Sequence, residues 1–178
     1  MQITTERLVL RSWQGNDALA FTAINQDEKV IEFLRGPLSL EECQNFILKA
    51  NDHIAKHGFG LWAVEVKETA EMIGFVGLNI PDFESNFTPC VEIGWRLASH
   101  AWGKGYATEA AKTVLQIGFT NFQLKEIVSF TVPQNLRSIA VMEKIGMKRD
   151  FNGDFFHPKL ALDHPLSRHV LYRMTDVN

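Results

Sequence analysis

Apolar and polar positions change period several times along the chain, and each change marks an element. Thr5 to Trp13 is a mostly apolar run with Arg7 and Arg11 on one side, a strand. Asn16 or Asp17 then opens a short helix through Phe21 and Ile24, since either side chain can cap the free amides of a first turn. Leu40, Cys43, Phe46, Ile47, Ala50 and Ile54 share one face at helical spacing, and Gly58 stops this second helix. Phe59–Lys67 and Met72–Ile80 read as two strands joined by the polar turn Glu68-Thr69-Ala70-Glu71, and Pro81–Pro89 is a loop. Val91–Leu97 alternates apolar residues with Glu92, Gly94 and Arg96, a strand with two unlike faces. A glycine turn, His100–Tyr106, leads into a helix with apolar positions at Ala107, Ala110, Ala111, Val114, Leu115 and Phe122. Glu126–Val132 is a further strand, ended by Pro133. Asn135-Leu136-Arg137-Ser138 then opens a helix through Lys144 that Gly146 closes. Met147–Phe151 and His169–Met174 form a closing strand pair around a polar loop. Strands and helices interleave without repeat, low-complexity tract or linker, so the expectation is an α/β or α+β single domain over residues 1–178.

Composition narrows the function classes. The 178 residues are 46% hydrophobic, with 13 Phe and 4 Trp, enough for a packed interior. A net charge of −3 offers nucleic acid no polycation and gives no reason for attraction to a membrane surface. Cys43 and Cys90 are too few for a disulfide scaffold, which points to a reducing cytoplasm. The N-terminus has no apolar signal core, and no apolar run reaches the roughly 18 residues of a spanning helix. His53 and His57 stand four apart on a helix but lack the glutamate and third ligand of a catalytic zinc helix, so they read as a wet helix face and no metal is expected.

The chemistry concentrates in Val91–Phe122. A strand, a turn built round Gly103 and Gly105, and a helix N-terminus make an anion site from main-chain donors and the helix dipole. A dinucleotide fingerprint would need a third glycine where Thr108 stands, and a nucleotide P-loop would need Ser or Thr after Lys104, where Gly105 stands. What the stretch resembles is motif A of the GNAT acyl-CoA-dependent N-acetyltransferases, whose Gln/Arg-x-x-Gly-x-Gly/Ala loop holds the pyrophosphate of coenzyme A. Here it reads His100-Ala101-Trp102-Gly103-Lys104-Gly105, with His100 in place of Gln or Arg. Asn135–Met147 resembles motif B of the same family. The opening Thr5-Glu6-Arg7-Leu8-Val9-Leu10-Arg11 resembles the branch that acetylates ribosomal-protein N-termini.

The resemblance covers Thr5 to Met174 and carries specific expectations. The fold would be a GNAT-like mixed, mostly antiparallel central sheet flanked by helices on both faces, its fourth and fifth strands splayed to admit acetyl-CoA. Backbone groups of Ile93, Trp95 and Leu97 would pair with the pantetheine arm as an added strand does. Amides of Trp102, Gly103, Lys104, Gly105, Tyr106 and Ala107 would hold the pyrophosphate, and Asn135 would contact pantetheine. Many members protonate the leaving thiolate with a tyrosine where this chain has Met142, which leaves Ser138 as the candidate, while a capping role is the structural alternative for Asn135 and Ser138. Glu92 is the expected base for the attacking amine, with an ion pair to Arg96 as its structural alternative. A main-chain N–H near Trp95 is the expected oxyanion donor. His157, His164 and His169, in or beside the last loop, are the reserve bases or else polar loop residues. Lys104 either touches a phosphate or faces water, and Trp62, Trp95 and Trp102 either line an acceptor slot or pack in the core. The implied function is transfer of an acetyl group from acetyl-CoA to a primary amine, most simply an N-terminal α-amine. The alternatives are a polyamine or aminoglycoside acceptor, or a non-catalytic acyl-CoA-binding module. Oligomeric state is not legible.

Overall fold

The computed structural model describes residues 2–176. Eight strands form one mixed sheet in the order β1-β2-β3-β4-β5-β6-β8-β7. They are β1 Ile3–Thr4, β2 Leu8–Arg11, β3 Leu61–Val66, β4 Glu71–Asn79, β5 Glu92–Leu97, β6 Glu126–Thr131, β7 Lys148–Phe156 and β8 Arg168–Thr175. The helices are α1 Asp17–Gln26, α2 Glu28–Ile31, α3 Leu40–His57, α4 Tyr106–Thr120 and α5 Leu136–Lys144. No described helix is long and apolar enough to cross a membrane. The expected α/β class with a mostly antiparallel sheet is what the chain adopts. The chain divides into two compact units, Met1–Asn79 with Gly94–Val114, and Ile80–Ile93 with Leu115–Asn178.

In the first unit β1 to β4 pair antiparallel in sequence order. Trp62, Val64 and Val66 alternate with Ala63 and Glu65 on β3, so Trp62 points into the interior, fully buried. The opposite face carries Phe75, and there α1 and α3 bring Phe21 and Phe46 against Trp13. Ring centroids in this cluster lie 4.8–6.5 Å apart. Each fully buried ring of this kind contributes roughly 1.5–3 kcal/mol. The helix α3 ends at Gly58, as expected, and starts on a capping box, Ser39 with Glu42, that the apolar pattern did not single out. Strands β3, β4 and β5 approach closely. A Cβ on Gly77 would lie 2.0 Å from the Gly60 carbonyl oxygen, and one on Gly74 would lie 2.0 Å from that of Arg96.

The second unit carries β6 and β7, each antiparallel to β8 between them, with a core of Phe87, Val128, Phe155 and Leu171. The strand β5 runs parallel to β6, with Glu92 opposite Val128 and the Val128 amide on the Val91 carbonyl at 2.9 Å. Two residues on, a continuing ladder would place the Phe130 amide on the Ile93 carbonyl. The buried Ser129 hydroxyl donates there, at 2.9 Å.

Several boundaries differ from expectation. Neither Asn16 nor Asp17 caps α1: Asn16 makes no side-chain cap bond, and Asp17 is the first helical residue. The Asp17 carboxylate instead takes both Arg11 guanidinium prongs, at 2.7 and 2.9 Å, and the Gln14 amide, because a mostly buried arginine needs its counter-ion close. Strand β1 and helix α2 are additional, too short to show a period, and α2 is capped by the Asp27 side chain. The helix α4 begins one residue before Ala107 and stops before Phe122. Strand β7 runs past Phe151 to Phe156 after a register shift between Asp150 and Phe155.

Candidate functional site

The expected site residues fall in both units, and each group is built from its own surroundings. In the first unit β5 ends at Leu97 and Ser99–Ala101 makes one 3-10 turn. Gly103 and Gly105 follow with φ of 74° and 82°, the left-handed region that a side chain disfavours. The Gly105 carbonyl accepts from the Glu109 amide at 3.0 Å, so Gly105 is the N-cap of α4. Glycine brings no capping side chain, and the amides of Tyr106, Ala107 and Thr108 have no acceptor inside the helix. A Cβ on Gly103 would meet nothing within 4 Å. The result is an open turn of left-handed backbone and first-turn amides at the positive end of a 15-residue helix, which fits the diphosphate of an acyl-CoA.

The individual residues divide. The Trp102 amide already donates to the Ser99 carbonyl at 3.1 Å, and its indole donates to the Leu97 carbonyl at 2.8 Å. Its role here is therefore to brace the turn, and the available donors begin at Gly103. Thr108 joins them, a position the glycine pattern did not single out. Lys104 is exposed, and its carbonyl accepts from Arg7 at 2.9 Å. His100 is exposed and sits 2.8 Å from Glu71. Trp95 is half-buried on β5. Arg96 donates to the Asn25 side-chain oxygen and lies 5.6 Å from the centre of the Phe75 ring. Burial pushes its guanidinium down to about 10, still charged at neutral pH.

Two residues missed in the sequence complete this turn. The Glu109 carboxylate accepts from the Thr5 hydroxyl at 2.5 Å, the Arg7 amide at 2.8 Å and Arg7 Nε at 2.7 Å. Burial pushes that carboxyl up, but these hydrogen bonds and the Arg7 charge together hold it below the ordinary carboxylate range. The Arg7 guanidinium also lies 4.7 Å from the centre of the Tyr106 ring.

In the second unit Glu92 is half-buried at the start of β5 and shares a sheet face with Val128. Burial and the Glu92 charge together push the nearby Cys90 thiol up to about 11. By register, Phe130, Leu171, His169 and Phe155 continue that face. His169 donates or accepts at Nδ1 toward the Ser167 carbonyl, 3.1 Å away, and a carbonyl only accepts, so Nδ1 carries the proton and Nε2 the lone pair. Burial pushes His169 below its ordinary value. His157 and His164 use Nδ1 differently, accepting the Lys159 and Leu166 amides at 3.2 and 3.0 Å, and so hold the turns of their own loop.

Asn135 and Ser138 start α5. Asn135 donates to the Thr131 hydroxyl at 3.1 Å and accepts from the Ser138 amide at 3.2 Å, so it is the N-cap, and these bonds use one donor and one lone pair of an amide that has two of each. Ser138 is the third helical residue, half-buried. Met142 is buried, an apolar group where the resemblance places an acid. Trp62 packs in the core, which removes it from any acceptor slot. Among the described residues no group of three or more His, Cys, Asp or Glu could hold a metal ion.

Comparison with known proteins gives a family. The model of the GNAT acetyltransferase domain matches residues 7–148. An uncharacterized N-acetyltransferase of Bacillus licheniformis, p20, is 32% identical, covering 83% of this chain and 85% of that protein. The crystal structure of a GNAT-family acetyltransferase from Bacillus anthracis superposes with a TM-score of 0.80 at 27% identity, covering 98% of each chain. A ribosomal-protein-S5-alanine acetyltransferase from Vibrio fischeri shares the fold, with a TM-score of 0.75 at 18% identity over 100% of this chain and 98% of that one.

Proposed function

The chain belongs to the GNAT acetyltransferases and is an acetyl-CoA-dependent N-acetyltransferase, and on that premise we propose that its acceptor is the N-terminal α-amine of a protein or peptide. The observation that carries the donor side is the glycine N-cap of α4, which leaves a helix N-terminus and two left-handed residues free to meet a diphosphate. In this reading Gly103, Lys104, Gly105, Tyr106, Ala107 and Thr108 bind that group, Ile93, Trp95 and Leu97 present backbone to the pantetheine arm, and Asn135 supports it from α5.

Glu92 takes the proton from the attacking amine, directly or through one water, as the new C–N bond forms at the thioester carbonyl. A main-chain amide near Trp95 stabilises the oxyanion. When the C–S bond breaks, the Ser138 hydroxyl hydrogen-bonds the departing thiolate. The N-terminus of α5 favours the same negative charge, a substitute for the acid that buried Met142 does not supply. His169, with a lone pair on Nε2, is the reserve base.

Proton chemistry supports the α-amine. Its pKa near ~7.8 leaves roughly one in seven neutral at pH 7, whereas a lysine amine near ~10.4 is neutral about once in 2,500. One half-buried glutamate suits the easier nucleophile. The likeness to a ribosomal-protein-alanine acetyltransferase and the Thr5–Arg11 opening point the same way. The proposal includes residues 1–178 acting as one catalytic domain, and a reducing, cytoplasmic setting in which Cys43 and Cys90 stay free thiols. Competition tests the acceptor: a peptide with a free N-terminus, the same peptide N-blocked but carrying lysine, and a polyamine at equal concentration, products weighed by mass spectrometry. Acetyl on the free N-terminus is the expected result. Acetyl confined to lysine or the polyamine refutes the acceptor and leaves the enzyme class standing.

A further inference from the structure

Arg7 stands about a hundred residues before the anion-binding turn in sequence, yet it is wired into that turn by every part of its side chain. Nη1 donates to the Lys104 carbonyl at 2.9 Å, Nε donates to Glu109 Oε2 at 2.7 Å, and Nη2 lies 2.6 Å from the same oxygen. Its own amide donates to Glu109 Oε1 at 2.8 Å, and its guanidinium stands over the Tyr106 ring. A Cβ placed on Gly105 would sit 3.4 Å from Nη2, so the side chain lies directly behind the turn.

Two consequences follow from elementary geometry and charge. The Lys104 carbonyl and the Gly105 N–H belong to one planar trans peptide and point in opposite directions. Fixing the carbonyl on Arg7 therefore turns the Gly105 N–H away from Arg7, toward the open side of the turn. The second concerns Glu109. A carboxylate on the first turn of α4 occupies the same positive end that an anionic ligand needs. Arg7 cancels that charge with a two-pronged pair that a lysine ammonium cannot reproduce.

We propose that Arg7 is a positioning residue for the acyl donor: it aims the Gly105 amide at the pyrophosphate and neutralises Glu109 so that α4 accepts the ligand's charge. This rests on the turn being the pyrophosphate site, and the test separates the two ideas.

The measurement is the ratio of kcat/KM for acetyl-CoA to kcat/KM for S-acetylpantetheine, a donor lacking the diphosphate and adenosine. Thermal melts accompany it, to establish folding. The wild-type enzyme favours acetyl-CoA strongly. In Arg7→Ala that ratio falls by about 10- to 100-fold, the range for losing a charge-assisted hydrogen bond. Arg7→Lys, which restores charge near Glu109 but not the hold on Lys104, falls between. Adding Glu109→Gln to Arg7→Ala raises the ratio again, because a bare carboxylate no longer opposes the ligand. A merely structural arginine would lower both donors' kcat/KM alike and leave the ratio at the wild-type value, which overturns the proposal. If Arg7→Ala does not fold, the ratio in Arg7→Lys decides in the same way. A wild-type enzyme indifferent to the diphosphate refutes the pyrophosphate site itself, and Arg7's role with it.

Discussion

Replacing Gly103 separates what the turn costs to fold from what it does for the ligand. Its φ of 74° lies in the left-handed region, and a Cβ there would meet nothing within 4 Å. Gly103→Ala therefore introduces backbone strain without a clash, about 1–2 kcal/mol. For a chain of this size that lowers the melting midpoint by roughly 2–8 °C. Coenzyme A at about 100 times its Kd stabilises the wild-type protein by ~2.7 kcal/mol, a rise of about 5–11 °C on the same scale. Gly103→Val fills the open side of the turn further, and it abolishes that rise because its methyls occupy the pyrophosphate's space. Scanning fluorimetry with and without coenzyme A reads both quantities, and titration calorimetry checks the loss of binding. A Val variant that melts lower but still gains the full wild-type rise refutes the assignment of that space to the ligand. A Gly103→Ala variant that melts with the wild type refutes the strain argument.

Two further outcomes follow. Glu92→Gln lowers kcat by about 10²–10⁴-fold while coenzyme A affinity by calorimetry stays near wild type, and Ser138→Ala lowers kcat through slower thiolate departure; full Glu92→Gln activity across the pH range moves the base to His169, since His157 and His164 spend their Nδ1 lone pairs on loop amides. Burial depresses the His169 pKa from 6.5, so its stabilising contribution is complete above pH 6.5 and is lost as pH falls below it, where the unfolded chain binds the proton and the folded one resists. Urea midpoints of the wild type then drop between pH 7.5 and 5.5, and His169→Phe, set among Phe130 and Phe155, shows a smaller drop. Equal drops would remove His169 from the pH dependence.

The elements legible in sequence were those with enough residues to display a period or a punctuating cap. Leu40, Cys43, Ile47, Ala50 and Ile54 mark one face of α3 and Gly58 ends it, and alternation marks β5. The glycine turn was legible because positive φ and exposed amides demand glycine at 103 and 105. What could not be read were pairings that only folding creates. Asp17 looked like a cap until Arg11 claimed it. Glu109 looked like an ordinary helical glutamate, and nothing in its neighbourhood names Arg7, 102 residues away, as its partner. The Trp102 amide is similar, since its acceptor depends on the 3-10 turn at Ser99–Ala101. Met142, by contrast, was visible as a departure, and its burial turns that departure into a chemical constraint on Ser138.

The close approach of β3, β4 and β5 bears on how relatives of this chain should be compared. Gly74 and Gly77 have no room for a methyl: a Cβ at either would stand 2.0 Å from a backbone carbonyl oxygen, that of Arg96 or of Gly60. Neither position accepts alanine without moving the sheet, and Gly74 is constrained a second time by its φ of 128°. Gly103 is constrained by its φ of 74° and not by space, since a Cβ there would meet nothing within 4 Å. Ranked by invariance, the three glycines would be indistinguishable, and a search for catalytic positions on that basis would gather two that never meet a substrate. Free volume around the absent side chain tells them apart: Gly77 is fixed by the atoms packed against it, whereas Gly103 keeps a left-handed turn with space in front of it that a ligand can enter.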